Sequence, residues 1–259
     1  MDLGISGETA LVLGGSKGLG FSCAQELARA GVKVAVNGRD AQSGAAALKQ
    51  LGDGAIFVPG DVAEPGQIAA ILEAVQKELG PVHILVTNAG GPPPGEFHEH
   101  AIDVWQRAIR VNMLSAVDAV QRVLPGMKEA RFGRIVNITS FVVKEPYPNM
   151  ALAKSIRVGL TGAMSTLARE VAGHGITVNN ILPGLMDTGA LQRVIDARVK
   201  KQGTSEGTVR EDMAASIPMG RLGEADDFGP LCAFLCSRRA NYITAQNIAV
   251  DGGLVRGLM

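Results

Sequence analysis

Short runs of apolar, often β-branched residues alternate along the chain with longer segments whose apolar positions recur every three to four residues. The periodic segments predict helices, among them 19–30, 65–79, 103–127, 150–172 and 224–235. The apolar runs predict seven buried strands: TALVLG, VKVAVN, AIFVPG, VHILVTN, GRIVNIT, ITVNNILP and NIAVDGG. Such continuous runs are typical of strands that are buried on both faces. Strand–helix alternation then indicates an α/β fold with a parallel sheet and right-handed crossovers.

Two architectures share this pattern, a (β/α)₈ barrel and an open, doubly wound sheet with helices on both faces. Seven strands, and a glycine-rich loop after the first strand, favour the open sheet. No linker or charge block divides the 259 residues, so we expect one domain over 1–259, with a polar, mobile-looking substrate region at about 185–219.

Composition narrows the possible partners. The 25 basic and 25 acidic residues cancel, which leaves no basic face for nucleic acid. No apolar run reaches the roughly 18 residues of a membrane span, and the N-terminus has no basic region typical of a signal peptide. The three cysteines, Cys23, Cys232 and Cys236, lie in apolar helical segments, so we expect reduced core residues and no metal site, as in a cytoplasmic protein.

A glycine-rich loop, VLGGSKGLG, places Gly14, Gly18 and Gly20 between the first strand and the first helix. A pyrophosphate on a helix N-terminus needs close approach of the backbone, which Cβ atoms would block. An ordinary tight turn has similar glycines, but the position directly after the first strand favours a nucleotide site.

A series of motifs, in order along nearly the whole chain, resembles the short-chain dehydrogenase/reductase family. The motifs are the glycine loop, NAG at 88–90, VN at 111–112, NITS ending at Ser140, Lys154, PGLMDT at 183–188 and VDGG near the C-terminus. Leu13 departs from the threonine that is usual in the family. The resemblance implies a Rossmann-type fold and a nicotinamide dinucleotide. The cofactor-binding residues that it implies are Gly14, Ser16, Lys17, Gly18, Leu19, Gly20, Asp61, Val62, Asn88, Ala89, Gly90, Lys154, Pro183, Gly184 and Thr188.

The choice between NADP(H) and NAD(H) depends on the end of the second strand. NAD binding usually needs an acidic residue there, but that position is Gly38, followed by Arg39. Lys17 and Arg39 occur where NADP-preferring relatives carry basic residues, which predicts NADP(H). Asp40 is the counter-argument for NAD(H), unless it caps the next helix.

The resemblance also implies a reaction: hydride transfer between the nicotinamide and a carbonyl or secondary alcohol. Ser140 would hold the substrate oxygen, Lys154 would bind the ribose, and Asn112 would support a proton-relay water. The family's tyrosine, which exchanges the proton, is replaced by Met150, whose sulfur has no proton to give.

Other proton donors are scarce in the sequence. Tyr147 lies between two prolines, three residues before Met150, and is interpreted as an aromatic wall; Tyr242 belongs to a surface turn. His98 and His100 follow the GGPPPG loop, and two solvated loop histidines are the interpretation preferred over a metal pair or a proton donor.

The sequence therefore predicts an NADP(H)-dependent oxidoreductase of small carbonyl or alcohol compounds, similar to 3-oxoacyl-thioester reductases. The alternative is a non-catalytic NADP(H)-binding sensor or scaffold. Family helix packing predicts a homotetramer or homodimer, and a monomer would expose the apolar tail residues Leu254, Val255, Leu258 and Met259.

Overall fold

The sheet sets the position of the site. The computed structural model describes residues 1–257, in which seven strands form one parallel sheet of order β3-β2-β1-β4-β5-β6-β7. The strands are β1 (Thr9–Val12), β2 (Lys33–Gly38), β3 (Ile56–Pro59), β4 (Ile84–Thr87), β5 (Gly133–Ile138), β6 (Ile176–Pro183) and β7 (Asn247–Val250). The strand order reverses between β1 and β4, so a ligand crevice is expected at the carboxyl ends of these strands.

Helices cover both faces of the sheet. They are α1 (Gly18–Arg29), α2 (Ala41–Leu51), α3 (Gln67–Leu79), α4 (Ile102–Ile109), α5 (Ser115–Ala130), α6 (Ala151–Val171), α7 (Gly189–Gln202), α8 (Glu206–Ala215) and α9 (Gly229–Cys236). Apolar residues of α1, α2 and α9 pack on one face, and those of α3, α5 and α6 pack on the other. The predicted doubly wound α/β fold is thus confirmed.

The helix predicted over 103–127 is interrupted. A π-helical turn, Arg110–Leu114, joins α4 to α5 and contains Asn112. Asn112 Nδ2 donates to the Ala108 carbonyl at 3.3 Å, and Ser115 Oγ donates to the Val111 carbonyl at 2.6 Å. Side chains that bond to the backbone compete with the helical ladder. Single π-turns of this kind are frequent at functional sites.

The helix predicted over 224–235 also differs. The chain first forms a 3₁₀ turn, Ala225–Asp227, closed by reciprocal hydrogen bonds of Glu224 and Asp227. The α-helix proper is α9, with Pro230 in its first turn, where a missing N–H costs nothing.

The region 185–219 was expected to be polar and mobile, yet it forms α7 and α8. The pairs Leu191/Ile195 and Val209/Met213 are each spaced by one helical turn, and all four side chains are buried. They pack on Phe141 and Val142, with the partly buried Leu254 and Val255 against the same cluster. These two tail residues are therefore covered within the monomer, contrary to expectation, while Leu258 and Met259 lie outside the described residues.

The three cysteines are buried free thiols in the core between α1 and α9, as predicted. Hydrogen bonding to Cys23 and burial raise the pKa of the Cys232 thiol well above its ordinary value. In residues 1–257, no group of three metal-binding side chains is assembled, and no helix has the length and hydropathy of a membrane span.

Candidate active site

The glycine loop brings its backbone into close contact with the chain after β4. Gly14 has φ +56°, and Asn88 Nδ2 donates to its carbonyl oxygen at 3.0 Å. A Cβ on Gly20 would lie 2.4 Å from the same oxygen. Side chains at these two positions would therefore clash with the backbone of the turn. Because the glycines have no side chains, a ligand can approach the backbone of the loop closely.

The first helix presents a free N-terminus at this loop. α1 begins at Gly18, which has φ +60°, and Lys17 at the N-cap makes no capping hydrogen bond. The first N–H groups of α1, including that of Leu19, remain available to an anion. A Cβ on Gly18 would lie 3.9 Å from Thr188, so the PGLMDT segment and the glycine loop meet here.

The carboxyl end of β2 carries the groups that distinguish the two dinucleotides. A Cβ on Gly38 would lie 2.7 Å from Ser16 Oγ, so the strand end packs closely against that hydroxyl. Lys17 and Arg39 are both exposed beside it. Arg39 lies 3.6 Å from Asp61 in a solvent-exposed ion pair. The carboxyl end of β2 thus has a hydroxyl packed against it and an exposed cation directly after it.

Asp40 is not available as a ribose partner. Its carboxylate caps α2, accepting hydrogen bonds from the backbone N–H groups of Gln42 at 3.2 Å and Ser43 at 3.0 Å. A further bond from the Ser43 hydroxyl is the largest of the effects that lower the pKa of Asp40. The capping interpretation of Asp40 is confirmed.

The remaining residues of the implied cofactor cleft follow the carboxyl edge of the sheet. Asp61 Oδ1 accepts from the Ala63 N–H at 3.0 Å and shapes the turn after β3 that carries Val62. Asn88, Ala89 and Gly90 follow β4, and Pro183 ends β6. A Cβ on Gly184 would lie 2.7 Å from Asp251 Cα, which requires glycine at this position.

Ser140 and Lys154 meet at one residue. Ser140 Oγ accepts a hydrogen bond from the Val142 N–H at 3.3 Å, and Lys154 Nζ donates to the Val142 carbonyl at 2.7 Å. Ser140 follows β5, and Lys154 lies in the first turn of α6. The Ser140 hydroxyl and the Lys154 ammonium group therefore both contact the 3₁₀ turn Phe141–Val143.

Met150 occupies the N-cap of α6. Its carbonyl accepts the Lys154 N–H at 2.8 Å, which places Met150 one turn before the lysine on the same face. The Met150 side chain packs partly buried in the cluster of Phe141, Leu185 and Ile195. The position one turn before Lys154 thus holds a thioether, which has no proton to donate.

Tyr147 is directed toward α7. Its hydroxyl accepts a hydrogen bond from Arg198 Nη2 at 2.8 Å, and its ring packs edge-on against Phe141 with centroids 5.3 Å apart. This geometry agrees with the aromatic wall expected from the sequence. Tyr242 is fully exposed, also as expected.

The interpretation of both histidines as solvated is wrong for His100. His98 is exposed, but His100 Nε2 is buried and has no hydrogen-bond partner in residues 1–257. The loop after β4 folds back over α6, because the Gly95 N–H bonds to the Asn149 carbonyl at 2.9 Å. The imidazole packs against Gly95 so closely that a Cβ added to this glycine would lie 2.8 Å from His100 Cε1.

Arg157 was missed by the sequence reasoning. Arg157 Nη1 donates to the carbonyls of Ile138 and Thr139 at the end of β5. Its Nη2 lies beside Gly91, 3.7 Å from where a Cβ on this glycine would be. Burial away from water lowers the pKa of its guanidinium to about 10. The available signal was its spacing, since a charge three residues after Lys154 lies on the same helix face.

A cavity of about 390 Å³ lies apart from these groups. Leu185, Met186, Met219 and Arg221 are among its lining residues, and none of Ser140, Met150 and Lys154 borders it. On the side of the reacting groups, α7 and α8, here called the lid, pack in one apolar cluster with Tyr147 and Met150.

Comparison with known proteins agrees with the fold and with the motifs. A family model described as enoyl-(acyl carrier protein) reductase matches residues 14–255. The 3-oxoacyl-(acyl-carrier-protein) reductase FabG of Pseudomonas aeruginosa is 35% identical over 256 residues, which cover 97% of this chain and 99% of the relative. The NADPH-dependent reductase BacG of Bacillus subtilis is 30% identical over 259 residues, which cover 98% of this chain and 100% of the relative.

A solved structure supports the same grouping. The L-sorbose reductase of Gluconobacter frateurii, determined with NADPH and L-sorbose, superposes with a TM-score of 0.93 at 29% identity and full coverage of both chains. The likeness spans the sheet, the glycine loop and the lid in one continuous match. The chain belongs to the short-chain dehydrogenase/reductase family of oxidoreductases.

Proposed function

We propose that this protein is an NADP(H)-dependent oxidoreductase that reduces small carbonyl compounds with NADPH or oxidises the matching secondary alcohols with NADP⁺. The observation that carries the proposal is the contact of both Ser140 and Lys154 with Val142, at the carboxyl edge of the sheet. A protein that only bound the dinucleotide would need the lysine for the ribose but not the serine.

The cofactor is NADP(H), with Arg39, Lys17 and the Ser16 hydroxyl around the ribose phosphate. Gly38 places no carboxylate at the end of β2, and the Asp40 carboxylate caps α2. Charge-assisted hydrogen bonds of this kind contribute about 1.5–3 kcal/mol each. The relatives BacG and L-sorbose reductase are NADPH-dependent or NADPH-bound by their descriptions, which supports the choice.

Each side chain of this arrangement has a definable task during the reaction. When bound, the cofactor supplies the hydride. The Ser140 hydroxyl donates a hydrogen bond to the substrate oxygen and stabilises the charge that develops there. Lys154 binds the ribose and adds a positive charge beside that oxygen. Asn112, buried at the π-turn, supports a water on the path of the proton.

Met150 stands where the family has its proton-donating tyrosine, so this arrangement has no direct proton donor at that position. Loss of a general acid costs about 10²–10⁴ in rate, whereas alignment of the reactants can supply about 7–11 kcal/mol of the catalysis. Water near Ser140 and Lys154 therefore delivers the proton, and turnover is slow but present.

A second function, a non-catalytic NADP(H) sensor or scaffold, is favoured by one observation, which is Met150 itself. Two measurements on the wild-type protein separate the functions: calorimetric titration with NADPH, and NADPH oxidation with a panel of ketones. Binding together with ketone-dependent oxidation supports the reductase. Binding without oxidation of NADPH by any ketone supports the sensor and would overturn the reductase.

We also propose that the protein assembles into a homodimer or homotetramer through α4, α5 and α6. Exposed apolar side chains lie on or beside these helices, with Ile102 72%, Leu114 50% and Val158 41% exposed. A monomer would leave this patch in water. Light scattering at micromolar concentration should give a multiple of 26.9 kDa, and Leu114→Glu should lower that mass. A wild-type mass of one chain would refute the assembly.

The buried free thiols agree with a reducing compartment. On this basis we propose the cytoplasm as the location.

A further inference from the structure

Arg198 on α7 is a half-buried cation without a counter-charge. Its Nη2 donates to the Tyr147 hydroxyl at 2.8 Å, and its guanidinium carbon lies 5.7 Å from the centre of the Tyr147 ring. Within residues 1–257, no carboxylate forms an ion pair with Arg198, and its other donors make no hydrogen bond. Removing a charge from water without a partner costs free energy. Arg198 therefore has unused binding capacity.

Other cations of the lid do not share this feature. Arg210 pairs with Asp187 and Glu206, and Lys201 pairs with Glu96 at 3.0 Å. Arg193 on the same helix is exposed, so water solvates it. Arg198 differs from all of these because it is partly withdrawn from water and faces an aromatic ring.

The position of Arg198 is close to the reacting groups. Its partner Tyr147 lies one turn before Met150, and the Met150 N–H bonds to the Tyr147 carbonyl at 3.3 Å. Both side chains pack in the apolar cluster formed with α7. Arg198 is only partly exposed, so a charge interaction there is stronger than between fully solvated groups. The guanidinium thus contacts Tyr147, one turn before Met150, which places it at the edge of the proposed reaction site.

The cofactor is not the missing anion. Its phosphates belong at the glycine loop, where Gly18 borders Thr188 at the start of α7. Arg198 is ten residues further along the helix, or roughly 15 Å from that end at 1.5 Å per residue. The ribose phosphate would lie beside Arg39, at the end of β2.

We infer that Arg198 binds an anionic group of the substrate, and that the substrate is an oxo acid whose carboxylate contacts this arginine. This inference rests on the proposed reductase function. The guanidinium keeps a planar pair of donors after its bond to Tyr147, which matches a carboxylate geometrically. Tyr147 then acts as a positioning residue that fixes the orientation of Arg198.

The test compares acids with their uncharged esters. The probes are 2-oxopentanoate, 4-oxopentanoate and 5-oxohexanoate, each measured beside its methyl ester with saturating NADPH. For at least one pair, kcat/KM of the wild type should favour the acid by about tenfold or more, as expected for a charge-assisted contact. Arg198→Gln should lower this acid-to-ester ratio by about the same factor, and Arg198→Lys should lower it less.

Arg193→Gln is the matched control on the same helix and should leave the ratio unchanged. A wild-type ratio near one for all three pairs would overturn the inference. The inference would also be overturned if Arg198→Gln, with the same thermal melt as the wild type, kept the wild-type acid-to-ester ratio of kcat/KM.

A second measurement separates this inference from failure of the reductase proposal. If no probe is reduced, the three acids are titrated calorimetrically into the protein loaded with NADP⁺. Binding of an acid that Arg198→Gln weakens about tenfold supports the anion site although the reductase function fails. No binding of any acid, or equal binding by both proteins, overturns it.

Discussion

Replacing Met150 by tyrosine should restore a proton donor at the reaction site. The Met150 carbonyl accepts the Lys154 N–H at 2.8 Å, so position 150 lies one turn before the lysine. Ser140 and Lys154 both contact Val142, which brings their polar atoms to the same turn. A phenol at position 150 would share this site, and the nearby ammonium group would lower its pKa.

The expected gain follows from the role of a general acid. Such a group contributes about 10²–10⁴ in rate, equivalent to about 3–5.5 kcal/mol of activation free energy. The larger ring must fit beside Phe141 and Ile195, and overpacking of this kind costs typically about 1–3 kcal/mol of stability. That cost affects the free energy of unfolding and not the chemical step, so the rate should still rise.

Single-turnover hydride transfer from bound NADPH to a ketone is the appropriate assay, because it separates chemistry from product release. Met150→Phe is the matched control, since it adds the ring without the hydroxyl. Met150→Tyr should exceed both the wild type and Met150→Phe by about a hundredfold or more. Equal rates for the tyrosine and phenylalanine variants would refute the assignment of position 150.

Three further predictions concern single side chains. Arg39→Asp should weaken NADPH binding roughly ten- to a hundredfold and NADH binding much less, by calorimetry; a wild type that prefers NADH would refute the phosphate assignment. Tyr147→Phe should slow hydride transfer by less than about tenfold, well below the loss of a general acid; abolished transfer would make Tyr147 the acid. Hydrogen bonds from Arg221 lower the pKa of Asp227 to about 2, so this carboxylate stabilises the fold above its unfolded pKa and ceases to do so as pH falls through about 2. When the pH falls from 4 to 2, the free energy of unfolding of Asp227→Asn should therefore drop by about 1 kcal/mol less than that of the wild type, a small difference because the pair is half-exposed. Urea titrations that show the same drop in both proteins would contradict this.

The order of buried strands and helices could be predicted from the sequence because each strand is a continuous apolar run. The interruption at Asn112 could not, since the π-turn depends on side-chain bonds of Asn112 and Ser115 within an otherwise regular helical pattern. The lid was missed for a different reason. Its apolar pairs are widely separated among charged residues, and they form a buried face only when α7 and α8 pack on Phe141.

The candidate reacting groups Ser140, Lys154 and Asn112 could be named from the family resemblance, and the spacing of four residues predicted that Met150 and Lys154 share a helix face. Arg198 gave no comparable signal, and the signal for Arg157 was limited to its spacing of three residues from Lys154. A charged residue in a helix is usually solvated, and only the packing shows that Arg157 lies under Gly91 and Arg198 over Tyr147. The burial of His100 could not be predicted for the same reason. It depends on the loop that the Gly95–Asn149 backbone hydrogen bond holds in place, where the imidazole packs against Gly95.

The most direct test of the central claim is deuterium transfer by the wild-type protein. NADPH carrying deuterium at the transferable position of the nicotinamide is incubated with a ketone or oxo acid panel, and each alcohol product is analysed by mass spectrometry. We predict at least one alcohol that carries the deuterium, with the yield reduced about tenfold or more in Ser140→Ala and Lys154→Met, because these side chains stabilise the developing charge. Tight binding of NADPH with no deuterium in any product would contradict the account.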